Sequence, residues 1–281
     1  MRISKNDIKR SFNRSIKNLL LRHGILCSRV IPISNLDEFF PMVWPVPIGN
    51  DFVRLGAEHD GGYVIPNDLD GIKACFSPGV GGTTDFEEDM ARLGIPSFMA
   101  DGSINELPNQ NSKFHFTKKY LGDRNTETEM RLADWISNEF RDEPGDFILQ
   151  MDIEGAEYAV IYDTPLEVLR KFRILAIEFH HLDLLVSEGG FDLIRCAFAK
   201  ILESFSVVHI HPCNNIKPIS VDKFFIPTQM EFTFLRNNRI ESMAREMGNE
   251  FKFSYPHKLD SPNSPKRFDY PLPKCWYTSR I

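Results

Sequence analysis

Long hydrophobic runs are absent from this chain of 281 residues. The longest apolar stretches, such as Ile174–Ile177, fall far short of the ~20 residues that a helix needs to cross a bilayer. No membrane-spanning segment is therefore expected. The composition, 42% hydrophobic and 26% charged, is that of globular proteins and excludes a disordered or fibrous chain. The length fits one α/β domain with extensions, or two small domains.

Cysteine is sparse and follows no pattern. The cysteines are odd in number and never spaced as CxxC: Cys27, Cys75, Cys196, Cys213 and Cys275. This spacing indicates neither a disulfide framework nor a thiolate zinc site. The apolar stretch of the basic N-terminal segment is interrupted by Arg22 and His23, and no small-residue cleavage site follows it. A reducing, cytoplasmic setting is the resulting expectation.

Basic residues are scarce outside the N-terminal segment. Residues 1–29 contain eight Lys or Arg and one Asp, which gives a net charge of +7. Because the whole chain carries −6, the remaining residues carry −13. Such an acidic body lacks the basic face that neutralises phosphates, so no nucleic-acid partner is expected.

The sequence divides into three regions. Residues 1–50 are predicted to form a basic helical arm (1–24) and a Pro- and aromatic-rich connector (30–50) without a regular element. The main domain spans 51–240, and a Pro-rich extension packed on it spans 241–281. Apolar residues of the arm share one face: Ile8, Phe12, Ile16, Leu19 and Leu20. The arm is expected to dock on the acidic body, with weak attachment to an anionic membrane surface as the alternative.

Strand-like and helical patterns alternate from residue 72 onward. Apolar strands are predicted at Ile72–Ser77, Ser97–Ala100, Phe114–Phe116, Phe147–Ile153, Arg173–Phe179, Val207–Ile210 and Met230–Leu235. Predicted helices include one that starts with a capping box at Thr84–Glu87 and buries Phe86, Met90 and Leu93, and others at 129–140, 157–162 and 191–204. This alternation predicts a doubly wound α/β sheet, whose ligands bind beyond the carboxyl ends of the strands.

A glycine-rich loop, Gly79–Gly82, follows the first strand of this sheet. It permits a tight turn and close approach of a ligand to the backbone, although a purely structural turn is the alternative. Asp101 ends the next strand, 22 residues after Gly79, where an acid can hold ribose hydroxyls. Thr84 replaces the third glycine of the dinucleotide pattern, and acids at the next helix start would repel a pyrophosphate. S-adenosylmethionine, a cationic sulfonium, fits this loop better than NAD.

The segment Gln150–Glu157, which reads QMDIEGAE, resembles the K-I-D-[IV]-E-G-x-E signature of FkbM-type S-adenosylmethionine-dependent methyltransferases. Upstream, Arg54–Gly56 and Asp60–Tyr63 resemble a segment that often precedes the first strand in bacterial members. The resemblance covers residues 52–236 and implies a Rossmann-like, seven-stranded methyltransferase sheet with helices on both faces. It implies O-methylation of a hydroxyl on a small-molecule or saccharide acceptor.

The resemblance also implies roles for individual residues. It assigns the cofactor loop to Gly79 and Gly81, the ribose acid to Asp101, and a position near the adenine to Asp123. Ser77 stands where the family usually has an acid.

Acids and histidines gather at the predicted ends of three strands. Asp152 follows the fourth strand, where substrate or sulfonium would pass, so we expect it to act in cofactor binding and catalysis. Glu178 and His180 share a face at the end of the fifth strand, as do His209 and His211 at the end of the sixth. Structural roles are the alternative for each histidine.

Two catalytic roles suit this group. A histidine, His180 first and His211 as a further candidate, would remove the proton of an acceptor hydroxyl. Alternatively, Asp152, Glu178 and His180 would hold Mg²⁺ or Mn²⁺, which lowers the pKa of that hydroxyl. Two other functions also stay open: an NAD-type oxidoreductase, and a catalytically silent nucleotide-fold binding module attached through its basic arm.

Overall fold

Strands and helices alternate along most of the chain, as the sequence predicts. The computed structural model describes residues 15–25, 28–48, 51–141, 145–247 and 255–278. The strands are β1 (Phe52–Gly56), β2 (Gly62–Pro66), β3 (Ile72–Pro78), β4 (Ser97–Ala100), β5 (Phe114–Thr117), β6 (Tyr120–Gly122), β7 (Glu129–Arg131), β8 (Asp146–Met151), β9 (Phe172–Phe179), β10 (Phe205–Pro212), β11 (Ile219–Val221), β12 (Phe224–Ile226) and β13 (Met230–Arg236). The helices are α1 (Ile33–Met42), α2 (Asp85–Arg92), α3 (Leu132–Phe140), α4 (Glu157–Asp163), α5 (Leu166–Leu169), α6 (Glu188–Leu202) and α7 (Asn237–Met247), with 3₁₀ turns at Leu182–Val186 and Lys274–Trp276.

Seven of these strands form the central sheet, in the order β10-β13-β9-β8-β3-β4-β5. The strands run parallel except β13, which pairs antiparallel with both β9 and β10. The chain runs outward from β3 through β4 to β5 and then crosses back to β8, on the other side of β3. The connections after β3 and β8 therefore leave in opposite directions, and a crevice opens beyond the carboxyl ends of these two strands.

Both faces of the sheet are covered. On β8, Leu149 belongs to one apolar cluster and its neighbour Ile148 to the other. Helices α1, α3, α4 and α6 pack on the first face, while α2, α7 and the β1–β2 hairpin pack on the second. This double coverage explains why β9 is buried at all eight positions. The predicted α/β class, with a mostly parallel seven-stranded sheet flanked by helices, is confirmed and is compatible with a Rossmann-like fold.

The connector contains a helix, contrary to the sequence prediction. Within residues 30–50, α1 places Leu36, Phe39 and Phe40 at helical spacing and buries all three. The ring of Phe40 lies 4.7 Å from that of Trp276, measured between centroids. Proline-rich composition suggested an irregular segment, but Pro41 lies in the last turn of the helix, and the burial of the apolar face outweighs it.

The start of the predicted helix at 129–140 was wrong. Residues Glu129–Arg131 form β7, which pairs with β6, and the helix begins at Leu132. The capping box at Thr84 was also wrong, because the Thr84 side chain makes no capping hydrogen bond and Glu87 is buried. Leu93, predicted to be buried, is 52% exposed.

The two ends of the chain differ in how they contact the domain. Residues 1–14 of the predicted arm lie outside the described residues, and 15–22 are helical, with Ile16 and Leu19 exposed. Residues 255–278 pack on the domain: the indole of Trp276 donates a hydrogen bond to the carbonyl of Phe225, and Asn214 donates to that of Ser264. Within the described residues, no helix has both the length and the apolar character that a membrane crossing requires.

Candidate functional site

The glycine loop and the DIEGAE segment touch at the crevice. Gly79 has a φ of 88°, and a β-carbon there would lie 1.6 Å from the carbonyl oxygen of Asp152. The amide of Asp152 in turn donates a hydrogen bond to the carbonyl of Pro78 at 3.3 Å. Position 79 therefore accepts only glycine, because both the backbone conformation and the neighbouring strand exclude a side chain.

Asp101 joins the glycine loop to the end of β4. One carboxylate oxygen accepts from the Gly81 amide at 3.0 Å, and the other accepts from the Ser103 amide at 2.7 Å and its hydroxyl at 2.6 Å. Burial disfavours the charged form, but these hydrogen bonds outweigh it and lower the pKa of Asp101. The Ile104 amide lowers this pKa further, so Asp101 is held as a well hydrogen-bonded carboxylate next to the glycine loop.

The crevice holds two adjoining cavities of about 570 Å³ and about 480 Å³. Both are lined by Gly79, Asp101, Ser103, Asp152 and Glu154. The larger cavity extends to Asp60, Tyr63, Asp85 and Glu87, and the smaller one to Tyr120, Leu121, Gly122, Asp123 and Arg124. We call them the first and second lobes. Among the described residues, the lining of the first lobe has six carboxyl groups and no Lys or Arg.

Glu87 is a site residue that sequence reasoning missed. Its carboxyl is hydrogen-bonded to the hydroxyl of Ser77, which also lies 2.5 Å from the amide oxygen of Gln150. The Ser77 hydroxyl therefore bridges Glu87 and Gln150, and burial raises the pKa of Glu87 while the Ser77 hydrogen bond opposes the shift. An acid thus lies beside Ser77, the position at which the family motif would have one. The pattern Thr84–Glu87 had indicated a capping box instead.

Glu157 organises the turn after β8 from inside the fold. One of its carboxylate oxygens accepts the amides of Ile153 at 3.2 Å and Gly155 at 3.0 Å. The same oxygen lies 3.1 Å from Nδ1 of His180. Since this oxygen is an acceptor, Nδ1 carries the proton and Nε2 faces the cleft side.

Three further carboxylates surround Nε2 of His180. The nearest oxygens belong to Glu154 at 3.4 Å, Glu178 at 3.6 Å and Asp152 at 3.7 Å. Burial lowers the pKa of His180, but the hydrogen bond and charge of Glu157 and the other acids outweigh burial and raise it. Burial raises the pKa of Asp152 to about 7; His180 opposes this shift, and the neighbouring acids reinforce it. Asp152 and His180 therefore influence each other's titration, and the pKa of each is raised above its ordinary value.

The structure brings some predicted residues together and separates others. Asp152 lines both lobes, whereas His180 lies behind it and lines neither. Asp123 borders the second lobe and pairs with Arg124 at 3.0 Å. His211 lies apart from this group, with Nε2 3.5 Å from Asp269 in the C-terminal segment.

The predicted metal set is rearranged. The donor atoms of Asp152, Glu154 and His180 lie within 4.8 Å of one another, while Glu178 groups instead with Cys213 and Glu231. Glu154 has a φ of 56° and lines both lobes, with its side chain 85% exposed.

No protein-family model and no curated protein matches the chain. The chemistry of the site therefore rests on its own residues.

Proposed function

We propose that the chain is an S-adenosylmethionine-dependent methyltransferase of the FkbM type, which transfers a methyl group to a hydroxyl of a sugar or small metabolite. One observation carries the proposal. The glycine turn at Gly79 packs on the backbone of Asp152 where β3 and β8 diverge, and both residues line an acidic two-lobed cleft. A ligand cleft at this point of a doubly wound sheet is the expected position for a nucleotide-type cofactor.

The charge of the cleft favours a cationic ligand over a dinucleotide. The carboxyl groups that line the first lobe are Asp60, Asp85, Glu87, Asp101, Asp152 and Glu154. A pyrophosphate in the first lobe would meet these groups, and the described residues that line this lobe include no Lys or Arg to compensate, which disfavours NAD. A sulfonium with an α-ammonium group would instead be attracted.

The residues present fit the proposed cofactor. Asp101 is a hydrogen-bonded carboxylate that lines both lobes, where it would accept a hydrogen bond from a ribose hydroxyl. Asp123 borders the second lobe, on the side assigned to the adenine by the family resemblance. The buried carboxyl of Glu87 and the amide of Gln150 are further polar groups in the lining of the first lobe.

The catalytic requirement is removal of one proton. S-adenosylmethionine supplies an electrophilic methyl group on sulfur. Asp152 in its carboxylate form would accept the hydroxyl proton as the acceptor oxygen bonds to the methyl carbon, and the sulfur would keep the electron pair of the broken bond. A pKa of about 7 suits this role. His180 acts from behind Asp152 as a positioning residue.

Calorimetric titration tests the proposal. We expect micromolar binding of S-adenosylmethionine or its demethylated product, and no comparable binding of NAD. Asp101→Ala should weaken binding by about 1–3 kcal/mol, because it removes a charge-assisted hydrogen bond. Asp192→Ala, an exposed acid on α6, is the matched control and should bind normally. Tighter binding of NAD would favour an oxidoreductase, and binding without methyl transfer to any hydroxyl acceptor would favour a silent binding module.

A further inference from the structure

Three metal-ligating side chains, Glu178, Cys213 and Glu231, meet beside the cleft but outside its lining, and His211 adjoins Glu231. Glu231 on β13 is the direct cross-strand partner of Glu178 on β9 and of His211 on β10. Cys213 follows His211 by two residues along the same strand direction, so the pleat places it on the same side. Three neighbouring strands therefore bring two carboxylates and a thiol together, with the imidazole of His211 next to Glu231.

This cluster is compact and enclosed. The donor atoms of Glu178, Cys213 and Glu231 lie within 4.8 Å of one another, and all three residues are buried. Asn263 of the C-terminal segment closes the cluster by donating a hydrogen bond to Glu231 at 2.9 Å. The same amide nitrogen lies 3.4 Å from Asp60, which lines the first lobe, so Asn263 separates the cluster from the cleft.

An unpartnered donor or acceptor atom points to a ligand in this cluster. Nδ1 of His211 is buried and has no hydrogen-bond partner, and the residue is 3% exposed. Nδ1 lies 4.0 Å from a carboxylate oxygen of Glu231, too far for a hydrogen bond. The other ring nitrogen faces Asp269 at 3.5 Å. This is the arrangement of a metal-binding histidine, in which a carboxylate orients the ring through the nitrogen that does not bind the metal.

The charges of the cluster also require compensation. Burial raises the pKa of Glu178, and the charges of Asp152 and Glu231 raise it further. Burial likewise raises the pKa of Glu231, although His211, Asn263 and Arg54 oppose the shift. Two neighbouring buried carboxylates are stable only if they share protons or bind a cation.

We propose that Glu178, His211, Cys213 and Glu231 bind one divalent transition-metal ion of the zinc type. Zinc accepts carboxylate oxygen, imidazole nitrogen and thiolate sulfur in a four-coordinate site. Magnesium and calcium take oxygen ligands and are excluded by this donor set. The ion would join the ends of β9, β13 and β10, and the C-terminal segment would contact its ligands through Asn263 and Asp269. The inference is independent of the proposed methyl transfer.

Metal titration of the full chain, stripped with a chelator, tests this site. We expect one Zn²⁺ per chain, no competition from Mg²⁺, and a rise in Tm on binding. Co²⁺ in place of Zn²⁺ should give a thiolate-to-cobalt charge-transfer band. Of the described cysteines, Cys213 is the one in a candidate metal cluster, so this band separates the site from the His209–His257–Asp260 and Asp152–Glu154–His180 groups.

Two variants and a control complete the test. Cys213→Ser should lose the band and bind Zn²⁺ more than tenfold more weakly, while Cys75→Ser, a buried cysteine on β3, should keep both properties. Asp269→Asn, on the partly exposed residue behind His211, should weaken Zn²⁺ binding about 10- to 100-fold while leaving the fold intact. Wild-type chain that binds no Zn²⁺, that binds Mg²⁺ equally well, or that binds Co²⁺ without the band overturns the proposal, whether or not Cys213→Ser folds. Retention of the band in Cys213→Ser also overturns it.

Discussion

The buried carboxylate of Glu157 holds Nδ1 of His180 at 3.1 Å, and with the same oxygen it fixes the backbone turn that follows β8. One acid therefore orients the imidazole of His180 and also fixes the backbone turn that begins directly after Asp152. This contact links the segment that follows β8 to the segment that follows β9.

His180→Ala should remove most methyl-transfer activity while leaving the affinity for S-adenosylmethionine unchanged. The reason is that His180 supports the proton transfer through Asp152 and lines neither lobe of the cleft. Steady-state kinetics and calorimetry on the same preparations provide the check. His115→Ala is the control, since the ring of His115 stacks on Phe98 at the far side of the sheet.

The same kinetic measurements distinguish proton removal by a side-chain base from activation of the acceptor hydroxyl by a metal ion. Turnover is expected without added Mg²⁺ or Mn²⁺, and a strict requirement for either ion would assign Asp152, Glu154 and His180 to a metal instead. Full activity of His180→Ala would show that His180 contributes neither to a base mechanism nor to a metal-assisted one.

Activity should rise with pH through about 7. The pKa of Asp152 is raised to about 7, and proton removal needs Asp152 in its carboxylate form. Glu154→Gln should move the midpoint of the kcat/KM profile to lower pH, because the charge of Glu154 raises the pKa values of both Asp152 and His180. A profile that is flat across neutrality, or a midpoint that moves upward in this variant, would contradict the assignment.

Gly79→Ala should abolish cofactor binding and lower the free energy of unfolding by more than about 1 kcal/mol. The added β-carbon would overlap the carbonyl of Asp152 at 1.6 Å and would force an unfavourable positive φ. Gly82→Ala is the matched control, because a β-carbon there meets nothing within 4 Å. Thermal unfolding and calorimetry of both variants should separate them clearly, and equal behaviour would show that the close contact with β8 is not needed.

Glu178→Gln should stabilise the metal-free chain at pH 8 and change its stability little at pH 4. Burial and the nearby charges of Asp152, Glu231 and Asp60 raise the folded-state pKa of Glu178 above its unfolded value, while Cys213 opposes the shift through a hydrogen bond. A raised carboxyl pKa means that stability is greatest below the unfolded pKa of about 4.3 and falls as pH rises toward the folded pKa. Glutamine cannot ionise, so the variant does not lose this stability as pH rises. Tm measured at both pH values in the presence of chelator tests the sign, and a lower Tm at pH 8 in the variant would refute it.

Local hydrophobic patterns in the sequence predicted much of the architecture. Near-continuous apolar segments gave the strands of the sheet, and Ser97–Ala100 was located to the residue. The order of βα units limited the sheet to a doubly wound class, because short crossovers connect parallel strands in one hand. The same reasoning predicted that Glu178 and His180 share a face, and their side chains lie 3.6 Å apart. At α1 the Pro-rich composition predicted an irregular segment, which was wrong. The helical spacing of the apolar residues there was the better signal.

The sequence by itself determined the glycine turn, the acidic residues at strand ends and the alternation that brings them to one edge. Tertiary structure alone decided which of these groups meet. Glu87 turns inward to Ser77, and His211 joins Glu231 and Asp269, across 10 to 58 residues of chain. Spacing along a chain reports faces within one element, but contact between elements depends on strand order and on the segments that cover the sheet. That is why two nearby strand ends hold an Asp152–His180 pair beside the cleft and a closed Glu178–Glu231 cluster behind it.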